Sequence, residues 1–148
     1  MKKVSIQKET NPPWDVYNHL CPTRQVLDRI ADKWSHLIIL SLSKGTLRFS
    51  QLRRAITGIS QKALTSALRG LERDGVVTRR LYASVPPRVE YSLTELGRSL
   101  VKLVAGVCSW AEDHIEEVQA ARREYDSIDH RGVGVEAILP PLRRSRPR

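Results

Sequence analysis

The chain has 148 residues, 41% of them hydrophobic, which suits one globular domain with a real core and is short for two. Its two cysteines, Cys21 and Cys108, make neither a disulfide framework nor a metal-type pair, and the formal net charge is +9. The opening MKKVSIQKETNPP lacks the apolar stretch of a signal peptide, and the longest apolar cluster, Leu37 to Leu42, is too short for a bilayer. A cytoplasmic protein without a membrane partner is expected.

Residues 1–20 read as a loose N-terminal arm, broken by Pro12 and Pro13, with Trp14 and Tyr17 available for packing. Cys21-Pro22-Thr23 opens a helix, proline being suited to a first helical position. Val26, Leu27, Ile30 and Ala31 give that helix one apolar face. A second helix near Trp34 should bury Leu37, Ile38, Ile39, Leu40 and Leu42 at the centre of the core, with Gly45 as its stop.

Thr46 to Phe49 has the makings of a short strand, and Ser50 is a suitable N-cap for a brief helix Gln51–Ile56. Gly58 supplies a turn. Ser60 caps a longer helix whose buried stripe is Leu64, Ala67, Leu68 and Leu71, ending at Asp74-Gly75. Val77 to Tyr82 and Val89 to Leu93 read as paired strands around a proline-rich loop. From Thr94 one long last helix is expected, with Leu96, Leu100, Leu103, Val107, Trp110, Ala111, Ile115 and Val118 on one face. The end, from about His130, is rich in Gly, Pro and Arg and reads as mostly disordered.

Short helix, tight turn, amphipathic helix and basic hairpin stand in the order of a winged helix-turn-helix: mainly α with a small β-hairpin. The domain spans 21–126, between the arm and a basic tail at 127–148. A helix of this kind fits the DNA major groove, and the hairpin beside it reaches flanking backbone or minor groove. Charge follows the same division. Residues 44–92 carry ten basic and three acidic groups, net +7, whereas residues 93–130 are net −4. A localised basic surface is the footprint of phosphate binding.

With the stripe buried, Gln61, Lys62, Thr65, Ser66, Arg69 and Arg73 face outward. Gln61, Lys62, Thr65 and Ser66, with Ser60 at the helix start, are assigned to base edges or nearby phosphate, and Arg69 to phosphate. In the hairpin Arg88 lies next to the turn, in reach of a minor groove. Arg79 and Arg80 alternate faces, so at most one points to DNA, and Arg80 is preferred. The bland alternative is that these charges only solvate a helix and a hairpin, or that the fold serves as a protein-docking or dimerisation module. Arg143, Arg144, Arg146 and Arg148 in the tail either add non-specific DNA attraction or merely solubilise.

Cys21 precedes Pro22 at a helix start, where unsatisfied N–H groups and the helix dipole favour a thiolate, and Arg24 adds to the effect. The alternative is a small hydrophobe packed at a helix end. Cys108 reads as buried and inert. His19 with Cys21 makes a poor metal site, and no catalytic constellation or phosphate-cradling loop stands out. No cofactor, no metal and no enzyme activity are expected.

The ordered motifs Cys21-Pro22, Asp32-Lys33-Trp34, RFSQLR at 48–53, Gly58-Ile59-Ser60, Leu64-Thr65, Leu68-Arg69, Leu71-Glu72, Asp74-Gly75 and VPPRVEYSLT at 85–94 resemble the HxlR family of winged-helix regulators. The resemblance runs from about Cys21 to Trp110. It implies a homodimer on a pseudo-palindromic duplex, half-sites spaced by about one helical turn, roughly 34–36 Å. Trp110, Ile115 and Val118 are the expected intersubunit contacts. Family members often sense oxidants or electrophiles through a cysteine that Cys21 matches, so an oxidant or small-molecule effector is implied. A repressor is preferred over an activator, because a repressor needs only to occupy a promoter.

Overall fold

The computed structural model of the chain describes residues 14–128. They divide into two compact units with the boundary between Val107 and Cys108. Of the basic tail expected at 127–148, residues 129–148, Arg143 to Arg148 included, lie outside the described residues, and the last helix extends to Ser127.

The first unit begins with Trp14–Leu20, a run of turns in which Tyr17 and Leu20 are exposed. Helix α1 (Pro22–Ala31) follows, with proline at its first position and Cys21 as N-cap. It buries none of its residues within the chain, so its apolar face stays open, with Val26 46% and Leu27 50% exposed. Asp32 then starts the next helix. Its carboxylate accepts the N–H groups of Trp34 and Ser35 and the Ser35 hydroxyl, all at 3.1 Å. Partial burial alone would raise its pKa, but these hydrogen bonds and the Arg29 charge hold it below the ordinary value.

Helix α2 (Ser35–Leu42) is the centre of the core: Ile38 and Ile39 are fully buried and Leu42 nearly so, while Leu37 and Leu40 are half-buried. Strand β1 (Leu47–Arg48) is shorter than the sequence suggests, because helix α3 (Phe49–Ala55) starts at Phe49. Ser50 is therefore not its cap. Arg48 is, and the Gln51 side chain reaches back to accept the Arg48 N–H at 2.8 Å. Gly58, at φ +84°, turns the chain in a conformation that side chains resist.

Helix α4 (Gln61–Arg73) is capped by Ser60, whose Oγ accepts the Ala63 N–H at 3.0 Å. Strands β2 (Val77–Tyr82) and β3 (Arg88–Leu93) complete an antiparallel sheet in the order β1-β3-β2. In register, Val77 pairs with Leu93, Arg79 with Tyr91 and Arg80 with Glu90. Thr94 joins this sheet to α5 (Glu95–Asp113): its hydroxyl donates to the Gly75 carbonyl at 2.6 Å and accepts the Gly97 N–H at 3.0 Å.

The second unit holds the end of α5 and helix α6 (Ile115–Ser127). The single last helix expected from the apolar pattern is interrupted at His114, which leaves helical geometry at φ −112°, ψ 8°. The His114 ring stacks on Trp110 at 4.9 Å, and its Nδ1 lies 2.8 Å from the Trp110 carbonyl oxygen. The His114 backbone N–H donates to the same carbonyl at 3.1 Å, so ring and backbone share that acceptor where the helix breaks.

Candidate nucleic-acid interface

Helix α4 presents two faces of opposite character. Leu64 and Leu71 are fully buried, and Ala67 and Leu68 nearly so, which fixes the helix's rotation about its axis. Gln61, Lys62, Ser66, Arg69 and Arg73 are consequently exposed along the other side. Thr65 is half-buried, and its hydroxyl donates to the Gln61 carbonyl at 2.8 Å. It therefore meets a ligand as an acceptor and a methyl group.

The turn at Gly58 sets α3 beside the start of α4. Phe49, Ser50, Arg53, Arg54 and Gln61 line one shallow surface, on which Arg53 and Arg54 are exposed. Neither arginine stood out in the sequence, because the α3 stripe has a single buried member, Leu52. A second cleft runs between α4 and the sheet, lined by Gln61, Thr65, Arg69, Glu72, Arg79 and Tyr91 among others. The two arginines of β2 stand in different surroundings. Arg79 is paired with buried Tyr91 and opens into the cleft beside α4, whereas Arg80 is paired with Glu90 on the other sheet face. Hydrogen bonding and charge from Tyr82, together with the Glu90 carboxylate, raise the pKa of Arg80.

Arg88 is engaged inside the hairpin. Its guanidinium lies over the Tyr82 ring at 4.3 Å, and its Nε is 3.1 Å from Glu90 Oε1 but off line for a hydrogen bond. Glu90 also pairs in register with Arg48 of β1 and Arg80 of β2. One carboxylate thus sits among three arginines of the wing. At the loop between the strands, Val85 is fully exposed and the Ser84 hydroxyl donates to the Pro86 carbonyl at 2.8 Å.

Cys21 lies at the N-terminus of α1, only 7% exposed, with the Thr23 hydroxyl 3.1 Å from its Sγ. Hydrogen bonds from the Thr23 hydroxyl and backbone lower its pKa, while burial and, less, the nearby Asp15 charge oppose them. The lowering comes from Thr23 rather than from Arg24, the residue the sequence suggested. Cys108 is half-buried. In the second unit Trp110 is 58% and Ile115 43% exposed, and Val118 is half-buried. Among the described residues no helix is long and apolar enough to cross a membrane.

Comparison with known proteins agrees with this architecture. Residues 29–119 match the model of the HxlR-like helix-turn-helix family. The chain is 42% identical over 124 residues to YtfH of Escherichia coli (strain K12), named as an uncharacterized HTH-type transcriptional regulator, covering 84% of this chain and 98% of that one. The solved ytfH structure from Salmonella typhimurium superposes with a TM-score of 0.70 at 42% identity, over 74% of this chain and 98% of that chain. The redox regulator HypR in its reduced form gives 0.62 at 40% identity, over 67% and 98%. Fold, motif order and relatives converge: this chain belongs to the HxlR family of winged helix-turn-helix proteins.

Proposed function

We propose that the chain is a sequence-specific transcriptional regulator that binds double-stranded DNA as a homodimer, with α4 entering the major groove. The carrying observation is the pairing of a fully buried stripe on α4 with an exposed polar face from Gln61 to Arg69. Gln61, Lys62, Thr65 and Ser66 are of the types that read base edges or hold nearby phosphate, and Arg69, exposed on the same side, is assigned to phosphate. Arg53 and Arg54 flank this face for backbone contacts, and Arg79 joins it from the sheet. Arg88 reaches the duplex only by leaving Glu90, so it is a weaker contributor, and Arg80 weaker still.

The homodimer is supported by apolar side chains that are largely exposed among the described residues. Leu103 is 68% and Val107 70% exposed in the first unit, and Trp110 and Ile115 are open in the second. Large exposed apolar side chains of this kind are what interaction surfaces are built from. Repression follows from occupancy of a promoter by such a dimer. A thiol response through Cys21 is supported by its lowered pKa and by similarity to HypR and to YodB from B. subtilis, the latter solved after diamide treatment. Oxidants or electrophiles are the matching effector class, and Cys21→Ser should keep DNA binding while losing any response to them.

Selection of bound sequences from random duplex DNA tests the main reading. The chain should enrich a pseudo-palindrome. Replacing Lys62, Arg69 and Arg88 together by alanine should weaken binding and flatten its salt slope by about 0.9 for each phosphate no longer neutralised. A protein-docking module would enrich no sequence and tolerate all three changes.

A further inference from the structure

Gly70 stands inside α4, where glycine is among the poorest helix formers. The position is buried, and the space a side chain would take is already filled. A Cβ there would lie 2.6 Å from Cζ and 2.9 Å from Nε of Arg29, with Nη1 nearer still. The Arg29 Nε also donates to Asp74 Oδ2 at 3.1 Å, between side chains that are 35% and 27% exposed. The Arg29 guanidinium therefore fills the space beside Gly70 on α4 and ends on that helix's C-cap residue.

Each partner accounts for another. Asp74 puts negative charge at the helix end where the dipole disfavours it, and Arg29 compensates. Such a charge-assisted bond is directional and fixes orientation. Helix α1 packs mainly against α2, and this bond is what ties it to α4.

We infer that Arg29, Gly70 and Asp74 form a clasp that sets the angle between α1 and α4, making Arg29 a positioning residue for DNA reading. The inference rests on the dimeric DNA-binding reading above. In the dimeric reading the exposed Val26 and Leu27 of α1 are free to meet a second copy, and the clasp ties that helix to the reading helix. It thereby governs how far apart two reading helices stand on one duplex.

The test compares the selected duplex with versions in which the half-sites are moved one base pair closer or farther. Wild type should discriminate between them. Arg29→Met, which keeps most of the stem but loses the fork, should lose about five- to tenfold of that discrimination while remaining folded and dimeric. Gly70→Ala should do the same by expelling the guanidinium, although alanine favours the helix, and Arg29→Lys should restore part of the preference. Unchanged spacing preference in both Arg29→Met and Gly70→Ala, or equal affinity loss at every spacing, would overturn the clasp alone. A wild-type chain that selects no sequence would sink the DNA reading, and the clasp's role with it.

Discussion

Helices α4 and α5 carry the same helical periodicity and meet opposite fates. On α4 the apolar stripe disappears into the core, Leu64 and Leu71 at 0% exposure, and the polar face is what the molecule offers outward. On α5 much of the apolar stripe is itself on offer, with Leu103 68% and Val107 70% exposed. Amphipathicity by itself therefore does not say which side meets a partner. The side left uncovered does: a polar, cationic face suits a duplex, and an apolar face suits protein.

The sharpest way to break this contrast is truncation of matching leucines. Leu71→Ala should cost about 2–5 kcal/mol of folding stability by urea denaturation, since the cavity lies in a packed core. Leu103→Ala should leave folding of the isolated chain nearly unchanged. If Leu103→Ala destabilises as much as Leu71→Ala at a concentration where the chain is monomeric, the two stripes do not differ as described. Next in size, Trp110→Ala should weaken self-association by about 2 kcal/mol or more, as anchoring aromatics do. Sedimentation over a concentration series reads this directly, and an unshifted equilibrium would remove Trp110 from the interface.

A third change sharpens the α4 side. Ser60→Ala removes the acceptor for the Ala63 N–H and should cost about 1 kcal/mol of stability, with Ser60→Gly costing less. The smallest effect belongs to Asp32, whose folded-state pKa is depressed. Its contribution is fully present above the unfolded carboxylate pKa and disappears as pH falls through the lower folded value. Because Asp32 is exposed to screening, the amount is under about 1 kcal/mol. Asp32→Asn should remove that acid-side slope from the denaturation midpoint while leaving the neutral and alkaline side flat.

Local signals made much of this fold legible. The α4 boundaries follow from Ser60 at one end and Asp74-Gly75 at the other, and four apolar residues fix its inward side. The β2–β3 hairpin follows from alternation. What stayed hidden depends on partners distant in sequence or on competition within one turn. The different surroundings of Arg79 and Arg80 come from register against Tyr91 and Glu90, which alternation alone does not supply. The start of α3 turns on Gln51 reaching back to Arg48, against an equally good capping residue at Ser50. The break at His114 has neither proline nor glycine to announce it. Arg29 meets Asp74 across 45 positions, and in the sequence Gly70 looks only like a weak spot in a helix.

The most direct test of the central claim, that the outward face of α4 occupies a major groove, is protection of guanine N7 from methylation on the selected duplex. N7 lies in the major groove, so two protected patches about one helical turn apart are predicted, both fading when Gln61 and Lys62 are changed to alanine. A tightly bound duplex whose major-groove N7 positions stay fully reactive, or whose protection ignores those two residues, would contradict the account.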